Sequence, residues 1–218
     1  MKNKLEYIGS VLHQEQVSLV TIAETTGTPS FVYSKAKLLE QYQALKDALE
    51  GLNFKINYSV KANSNLSILS LLKDEGSGFD IVSAGELGRV LAIGGDPASV
   101  VFSGVGKSTE EIDFALKNNI GCINVESSSE LDRVIRRAEI LGRKARVSIR
   151  VNPDVDADTH PYISTGLKES KFGVPISQSL SLFEAASQNE HVSLEGIDCH
   201  IGSQINSVTP LAQAIKSI

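Results

Sequence analysis

Phe54-Lys55-Ile56-Asn57-Tyr58-Ser59-Val60-Lys61-Ala62-Asn63 is a strand-like run that delivers a single lysine to the point where the strand pattern stops. A lysine at a buried strand end loses hydration, which depresses its pKa and leaves a neutral amine able to attack an aldehyde. Taken alone, a lysine beside a strand end is most often a solvated surface charge. The rest of the chain therefore decides what Lys61 means.

Outward from that run, strand-like stretches alternate with helical patterns. Strands are expected over residues 54–60, 79–82, 100–103, 122–125, 145–151 and 192–200, and helices over 66–73, 85–93, 109–118, 128–141 and 177–187. Turn signals such as Gly76-Ser77-Gly78 and Gly94-Gly95-Asp96-Pro97 sit in the gaps. Repeated βα units of this kind form either a doubly wound open sheet or a (β/α)8 barrel, and both place their sites at the C-terminal ends of the strands. Periodicity does not choose between them. Ahead of these units, 17–23 reads as a strand, Gly27-Thr28-Pro29-Ser30 as a turn and 35–49 as a helix. There is no low-complexity segment and no repeat beyond the βα alternation.

Composition sets the bounds. The 218 residues are 41% apolar and 22% charged, ordinary for a globular protein with a sizeable core. A net charge of −5, with no Lys/Arg run and no interleaved aromatics, argues against a nucleic-acid surface or a polybasic membrane patch and favours small-molecule partners. Met1-Lys2-Asn3-Lys4 leads into Leu5-Glu6-Tyr7 without a long apolar stretch, so a cytoplasmic protein is expected. Cys122 and Cys199 each fall inside a strand-like run and read as buried, reduced core thiols.

Several strand ends carry chemistry. Asp80 is placed to hold or tune Lys61, and Ser83 with Glu86 three residues later reads as a capping box. Ser103-Gly104-Val105-Gly106-Lys107-Ser108 imitates a phosphate loop, but Val101 stands where the first glycine belongs, so the nucleotide reading fails. Asp154-Val155-Asp156-Ala157-Asp158 imitates a calcium loop, yet Thr159 and Thr165 replace its glycine and terminal glutamate, and no metal is expected. Arg150 closes the fifth strand as either an ion-pairing residue or a fixed cation. The connection after it, through His160, Thr165-Gly166 and Lys171-Phe172-Gly173, is long for a βα loop, which is a functional hint. At the sixth strand, Cys199-His200-Ile201-Gly202-Ser203 puts an imidazole at the strand end and a serine three residues on. In isolation such a histidine is most often a hydrogen-bonded core residue. His13 and His191 are expected to be exposed.

Tyr58-Ser59-Val60-Lys61-Ala62-Asn63 matches the Tyr-x-x-Lys-Ala-Asn signature of the barrel-type enzymes that use pyridoxal 5′-phosphate (PLP). The chain resembles that family over nearly its whole length. Arg150-Val151-Asn152-Pro153-Asp154, Thr159-His160, Ile163-Ser164-Thr165-Gly166 and Ser170-Lys171-Phe172-Gly173 look most like the diaminopimelate decarboxylase branch. The resemblance implies an α/β fold, a partial (β/α)8 TIM barrel of the alanine racemase-like type with about six of eight strands. Residues 1–34 would be an arm that pairs with a C-terminal β-domain, and 35–218 the incomplete barrel.

It further implies PLP as cofactor, Lys61 and His200 as catalytic residues, and Ser59, Asp80, Arg150 and Ser203 beside them around the cofactor. His200 would stack on the ring and Ser203 would bind the phosphate. The implied reaction is decarboxylation of meso-2,6-diaminopimelate to L-lysine, by a homodimer in the full-length protein. Other readings are a PLP-binding or regulatory protein without catalysis, or a decarboxylase of another basic amino acid. The family's Gly-rich phosphate loop, its Glu-Pro-Gly-Arg segment and its C-terminal cysteine and tyrosine are not found here, so the expectation is a fragment with little or no turnover.

Overall fold

The computed structural model describes residues 5–155 and 172–218. The chain divides into two compact units, Met1–Ile56 and Asn57–Ile218.

In the first unit, β1 (Leu5–Ile8) and β2 (Val11–Gln14) pair antiparallel across a two-residue turn, and β3 (Val17–Ser18) adds to β2. Gly9 in the first turn has φ 63°, a left-handed conformation that glycine adopts without steric cost. The strand expected over 17–23 ends after two residues. The Ser18 hydroxyl accepts from the Val20 and Thr21 amides and starts α1 (Leu19–Thr26) instead. A β-branched run reads as strand, but a serine cap at its second residue satisfies the orphan amides of a helix start and wins locally. Glu15 then organises the next helix. Its Oε1 accepts from Ser34 Oγ at 2.5 Å and from the Ala36 amide at 2.9 Å, while Ser34 caps α2 (Lys35–Ala48) through Lys37.

The second unit holds β4 (Asn57–Ser59), α3 (Leu66–Asp74), β5 (Gly78–Ile81), α4 (Ala84–Ala92), β6 (Val100–Phe102), α5 (Thr109–Lys117), β7 (Cys122–Val125), α6 (Ser128–Leu141) and β8 (Ala145–Asn152). After these come β9 (Val174–Pro175), α7 (Ile176–Ser187), β10 (Val192–Asp198) and α8 (Thr209–Ser217). The sheet runs β4-β5-β6-β7-β8-β10, every neighbour parallel, with β9 pairing the end of β8. With the short β9 set aside, each strand of this sheet lies beside the next in sequence. A doubly wound sheet reverses direction at a switch point, whereas this order only advances, as in a barrel wall. With the right-handed crossovers such units take, the helices fall on one face.

Side-chain alternation follows. Phe79, Ile81, Val100, Phe102, Ile123, Val125, Val147 and Ile149 are buried in a core shared with Leu69, Leu87, Val90, Ile112, Leu131 and Val134 of the helices. The alternate positions turn to the concave face. Glycine is required at 78, where β5 passes so close to β4 that a Cβ would collide with Asn57 Oδ1 and the Ser99 carbonyl. Successive helices start on a serine, Ser83, Ser108 and Ser127, whose hydroxyl accepts from the amide three residues on. The expected capping box at Ser83 is present in altered form, since Glu86 reaches back to the Val82 amide. Helix α8 has no counterpart among the expected elements, although Thr209-Pro210 carries the start signal.

Candidate functional site

The alternate strand residues build a hydrogen-bonded belt across the concave face. Ser59 Oγ donates to Asp80 Oδ2 at 3.2 Å and Ser103 Oγ to Asp80 Oδ1 at 2.6 Å. Asn124 Nδ2 donates to Ser103 Oγ at 3.2 Å, and Ser148 Oγ to Asn124 Oδ1 at 2.5 Å. One polar residue from each of β4, β5 and β7, one from β8 and the residue after β6 thus satisfy one another. They line a cavity of about 690 Å³ along the concave face, which reaches the C-terminal ends of the strands at Lys61, Ser103, Arg150 and His200 and is within the range of small-molecule sites.

Ser59, Lys61, Asp80, Arg150, His200 and Ser203 all line this cavity. The burial expected at Lys61 is not found. The strand ends at Ser59, and Lys61 sits exposed on a single 3-10 turn, Val60–Ala62, so its amine reaches the cavity without being stripped of water. Cys122 and Cys199 are likewise not fully buried. Both are half-buried, free and on the cavity wall. Cys122 lies beside Asn124 on the concave face, where burial pushes its thiol up to about 11, and Cys199 packs against Ile201 and Ala214 while also lining the cavity. The stretches at Thr159-His160, Ile163-Ser164-Thr165-Gly166 and Ser170-Lys171, together with Asp156 and Asp158, lie outside the described residues.

Arg150 is buried, with Nη1 donating to Glu126 Oε1 at 2.9 Å and Nε 3.8 Å from Asp198 Oδ2. Its Nη2 is buried with no protein partner among the described residues. Burial raises the Asp198 carboxyl above the usual range, reinforced by Glu126 and Asp80 and opposed by Arg150. His200 keeps an open face at the cavity rim. Even so, the walls around it remove hydration, and Arg150 and Lys61 repel a second charge, so its protonation is held below the usual histidine range.

Glu126, Glu130, Asn124 and Asp198 were not picked out from the sequence. The signal available for Glu126 was its place directly after the apolar strand at Val125. Lys107 of the imitation phosphate loop is 3% exposed. Its Nζ is taken by Gly104 O and Asn124 O at 2.7 Å and by Glu130 Oε1 at 2.9 Å, which leaves no donor for a nucleotide. Among the described residues, no helix is long and apolar enough to cross a membrane.

Residues 35–218 match a family model described as pyridoxal-dependent decarboxylase, pyridoxal binding domain. Diaminopimelate decarboxylase of Pseudomonas aeruginosa is 52% identical over 212 residues, which is 97% of this chain and 51% of that protein. The Neisseria meningitidis serogroup B protein of the same name is 52% identical over 204 residues, 94% of this chain and 49% of its own. Among solved structures, diaminopimelate decarboxylase from Helicobacter pylori complexed with L-lysine superposes with a TM-score of 0.87 at 47% identity, covering 90% of this chain and 50% of that one. The chain spans about half the length of the curated relatives it matches.

Proposed function

The chain belongs to the pyridoxal-dependent decarboxylase family, and on that premise we propose that it serves a lyase that removes carbon dioxide from meso-2,6-diaminopimelate to give L-lysine, with PLP as cofactor. The observation that carries this reading is the donor set of one cavity. Lys61 offers a primary amine, His200 a flat imidazole, Ser203 a hydroxyl, and Arg150 a guanidinium whose buried Nη2 has no partner among the described residues, while Ser59 holds Asp80 in the same wall. That set fits PLP, whose aldehyde needs an amine, whose ring needs a flat partner and whose anionic oxygens need N–H and O–H donors. In this reading Lys61, Ser59, Asp80, Arg150, His200 and Ser203 hold it.

When bound, PLP supplies an electron-accepting ring for the electron pair left as carbon dioxide departs. The chain's own residues prepare the site. Lys61 presents its amine from a short turn rather than from a flexible loop tip. Asp80, with one hydroxyl on each oxygen, is held still in the same wall. His200, kept below its ordinary protonation range, presents an uncharged ring at neutral pH. The choice of substrate is supported by the relatives' names, at about half identity over nearly the whole chain. Cytoplasmic location, a homodimer, and an N-terminal arm of residues 1–34 pairing with a C-terminal β-domain belong to the same proposal.

The test is to mix the protein with PLP, reduce with borohydride and map the modified lysine by peptide mass spectrometry against Lys61→Ala. Label confined to the Lys61 peptide is the expected result, and scattered or absent label overturns the cofactor reading. Release of labelled carbon dioxide from carboxyl-labelled meso-diaminopimelate by the complete gene product, ahead of ornithine, arginine and lysine, tests the substrate. Label at Lys61 with no release from any of them would leave a PLP-binding protein and remove the catalytic part.

A further inference from the structure

Arg150 is a cation in the wall of a cavity, and a buried cation needs both its charge and its donors answered. It lies on β8, between β7 and β10 in the sheet. From the β7 side Glu126 Oε1 takes Nη1 at 2.9 Å, and from the β10 side Asp198 Oδ2 lies 3.8 Å from Nε. The Phe172 ring covers the guanidinium carbon at 5.0 Å. Glu126 is 6% exposed and does more than balance charge. Its Oε1 also accepts from the Gly104 amide at 3.2 Å and its Oε2 from the Gly173 amide at 3.1 Å, while its own amide donates to Glu130 Oε2 at 2.7 Å. Glu130 is in turn paired with Lys107. One carboxylate is therefore fixed by amides from two separate loops before Arg150 meets it.

A guanidinium on a flexible stem keeps one pose when a hydrogen bond, a second opposite charge and a packed ring restrain it together. Here the carboxylates of Glu126, just after β7, and Asp198, at the end of β10, take Nη1 and face Nε, and among the described residues Nη2 has no partner. Glu126 itself is not in the cavity lining, whereas Arg150 and Asp198 are. We propose that Glu126 is a positioning residue that, with Asp198, fixes the Arg150 guanidinium so that its Nη2 edge is kept for an anionic group of the bound ligand. This rests on the reading of the cavity as a PLP site. A purely structural Glu126 would lower stability without acting through Arg150.

A double-mutant cycle on PLP affinity separates the two. Glu126→Gln removes the charge and turns an amide N–H2 toward the Gly173 N–H, so the clamp opens. PLP binding, read from cofactor absorbance, is expected to weaken by about tenfold in Glu126→Gln and by a similar factor in Arg150→Met, a size typical of coupled charge pairs. The double variant should bind no more weakly than Arg150→Met alone. Multiplied losses in the double variant overturn the proposal. Should Glu126→Gln fail to fold by circular dichroism, Asp198→Asn, whose side chain is more open, runs the same cycle with the same criterion.

A second readout needs no ligand. The Nη1 protons of Arg150, held by Glu126 Oε1, should exchange slowly in the unaltered protein and rapidly in Glu126→Gln, as followed by nitrogen-15 NMR. An unchanged exchange rate overturns the positioning role. Absence of PLP uptake by the unaltered protein would instead overturn the cofactor reading, and the Arg150 exchange rate would still decide the clamp.

Discussion

Replacing Lys107 by methionine shortens the side chain by one atom and removes its charge, which leaves the Glu130 carboxylate buried with no cation opposite it. The two side chains are 1% and 6% exposed and meet at 2.9 Å, so water does not take the place of the lost ammonium. Removing one partner of a buried pair costs about 3–5 kcal/mol. The Gly104 and Asn124 carbonyls lose their donor as well, at about 1–3 kcal/mol for each that stays dry, which points to the upper part of that range. For a unit of this size each kcal/mol moves the melting temperature by about 2–4 °C, so a fall of roughly 8–20 °C is expected. The second arm is Lys107→Met with Glu130→Gln. Glutamine can still accept the Glu126 amide, and no charge is stranded. The pair should therefore recover about 2 kcal/mol over Lys107→Met alone. Urea unfolding of the unaltered protein, both single variants and the double variant supplies all four corners. A loss below about 1 kcal/mol in Lys107→Met, or a double variant that loses the sum of the singles, refutes the reasoning.

The His200 imidazole should titrate below 6.5 by NMR, because the cavity walls desolvate it and Arg150 and Lys61 oppose its charge; Arg150→Met should raise the midpoint. The sign for stability follows from proton uptake. Below 6.5 the unfolded chain binds the proton first, so the His200 contribution is present above 6.5 and is lost as pH falls through the depressed value. A midpoint at or above 6.5 would contradict the burial argument. Cys122, with its thiol pushed up to about 11, should be alkylated by iodoacetamide about two orders of magnitude more slowly than a free thiol near pH 8.5, and at the ordinary rate in urea. Equal rates in the folded protein would show a thiol far better hydrated than the wall of the cavity allows.

The βα units were legible because their signals are local. Apolar runs of four to eight residues, serine caps and Gly turns place β5 to β8 and α3 to α7 within a residue or two. The decision between barrel and open sheet was not local. It depends on which strand pairs with which, and in the sequence only the Lys61 signature and its family resemblance carried it. The misread arm at 17–23 shows the opposite limit, where one hydroxyl at Ser18 outweighs the β propensity of Val17, Val20, Thr21 and Ile22. Lys61 was assigned a buried strand end because the run before it is partly apolar, but that strand stops at Ser59 and an exposed turn follows. Glu126 and Asp198 stayed hidden for another reason. Acids at strand ends are common, and only the order β7-β8-β10 shows that both flank Arg150.

That order also explains how a polar floor survives inside a barrel wall. Barrel interiors are usually filled by branched apolar side chains, and unpaired hydroxyls or amides there would be costly. The belt from Ser59 through Asp80, Ser103 and Asn124 to Ser148 avoids this, because Ser59, Ser103, Asn124 and Ser148 each donate to a polar group at the neighbouring strand, and Asp80 accepts from both sides. The N-terminal turns of the helices extend the same interlocking to the rim. Glu111 of α5 accepts the Ala84 amide at the start of α4, and Glu130 of α6 accepts Lys107 from the loop before α5. Each βα unit is thereby tied to the one before it by groups that are not part of the apolar core. The core on the helix side supplies burial, the belt and rim supply fixed polar groups, and the two tasks are divided between the two faces of every strand. A site of this kind keeps its hydroxyls, carboxylates and cations in place without taking stability from the residues that meet the ligand.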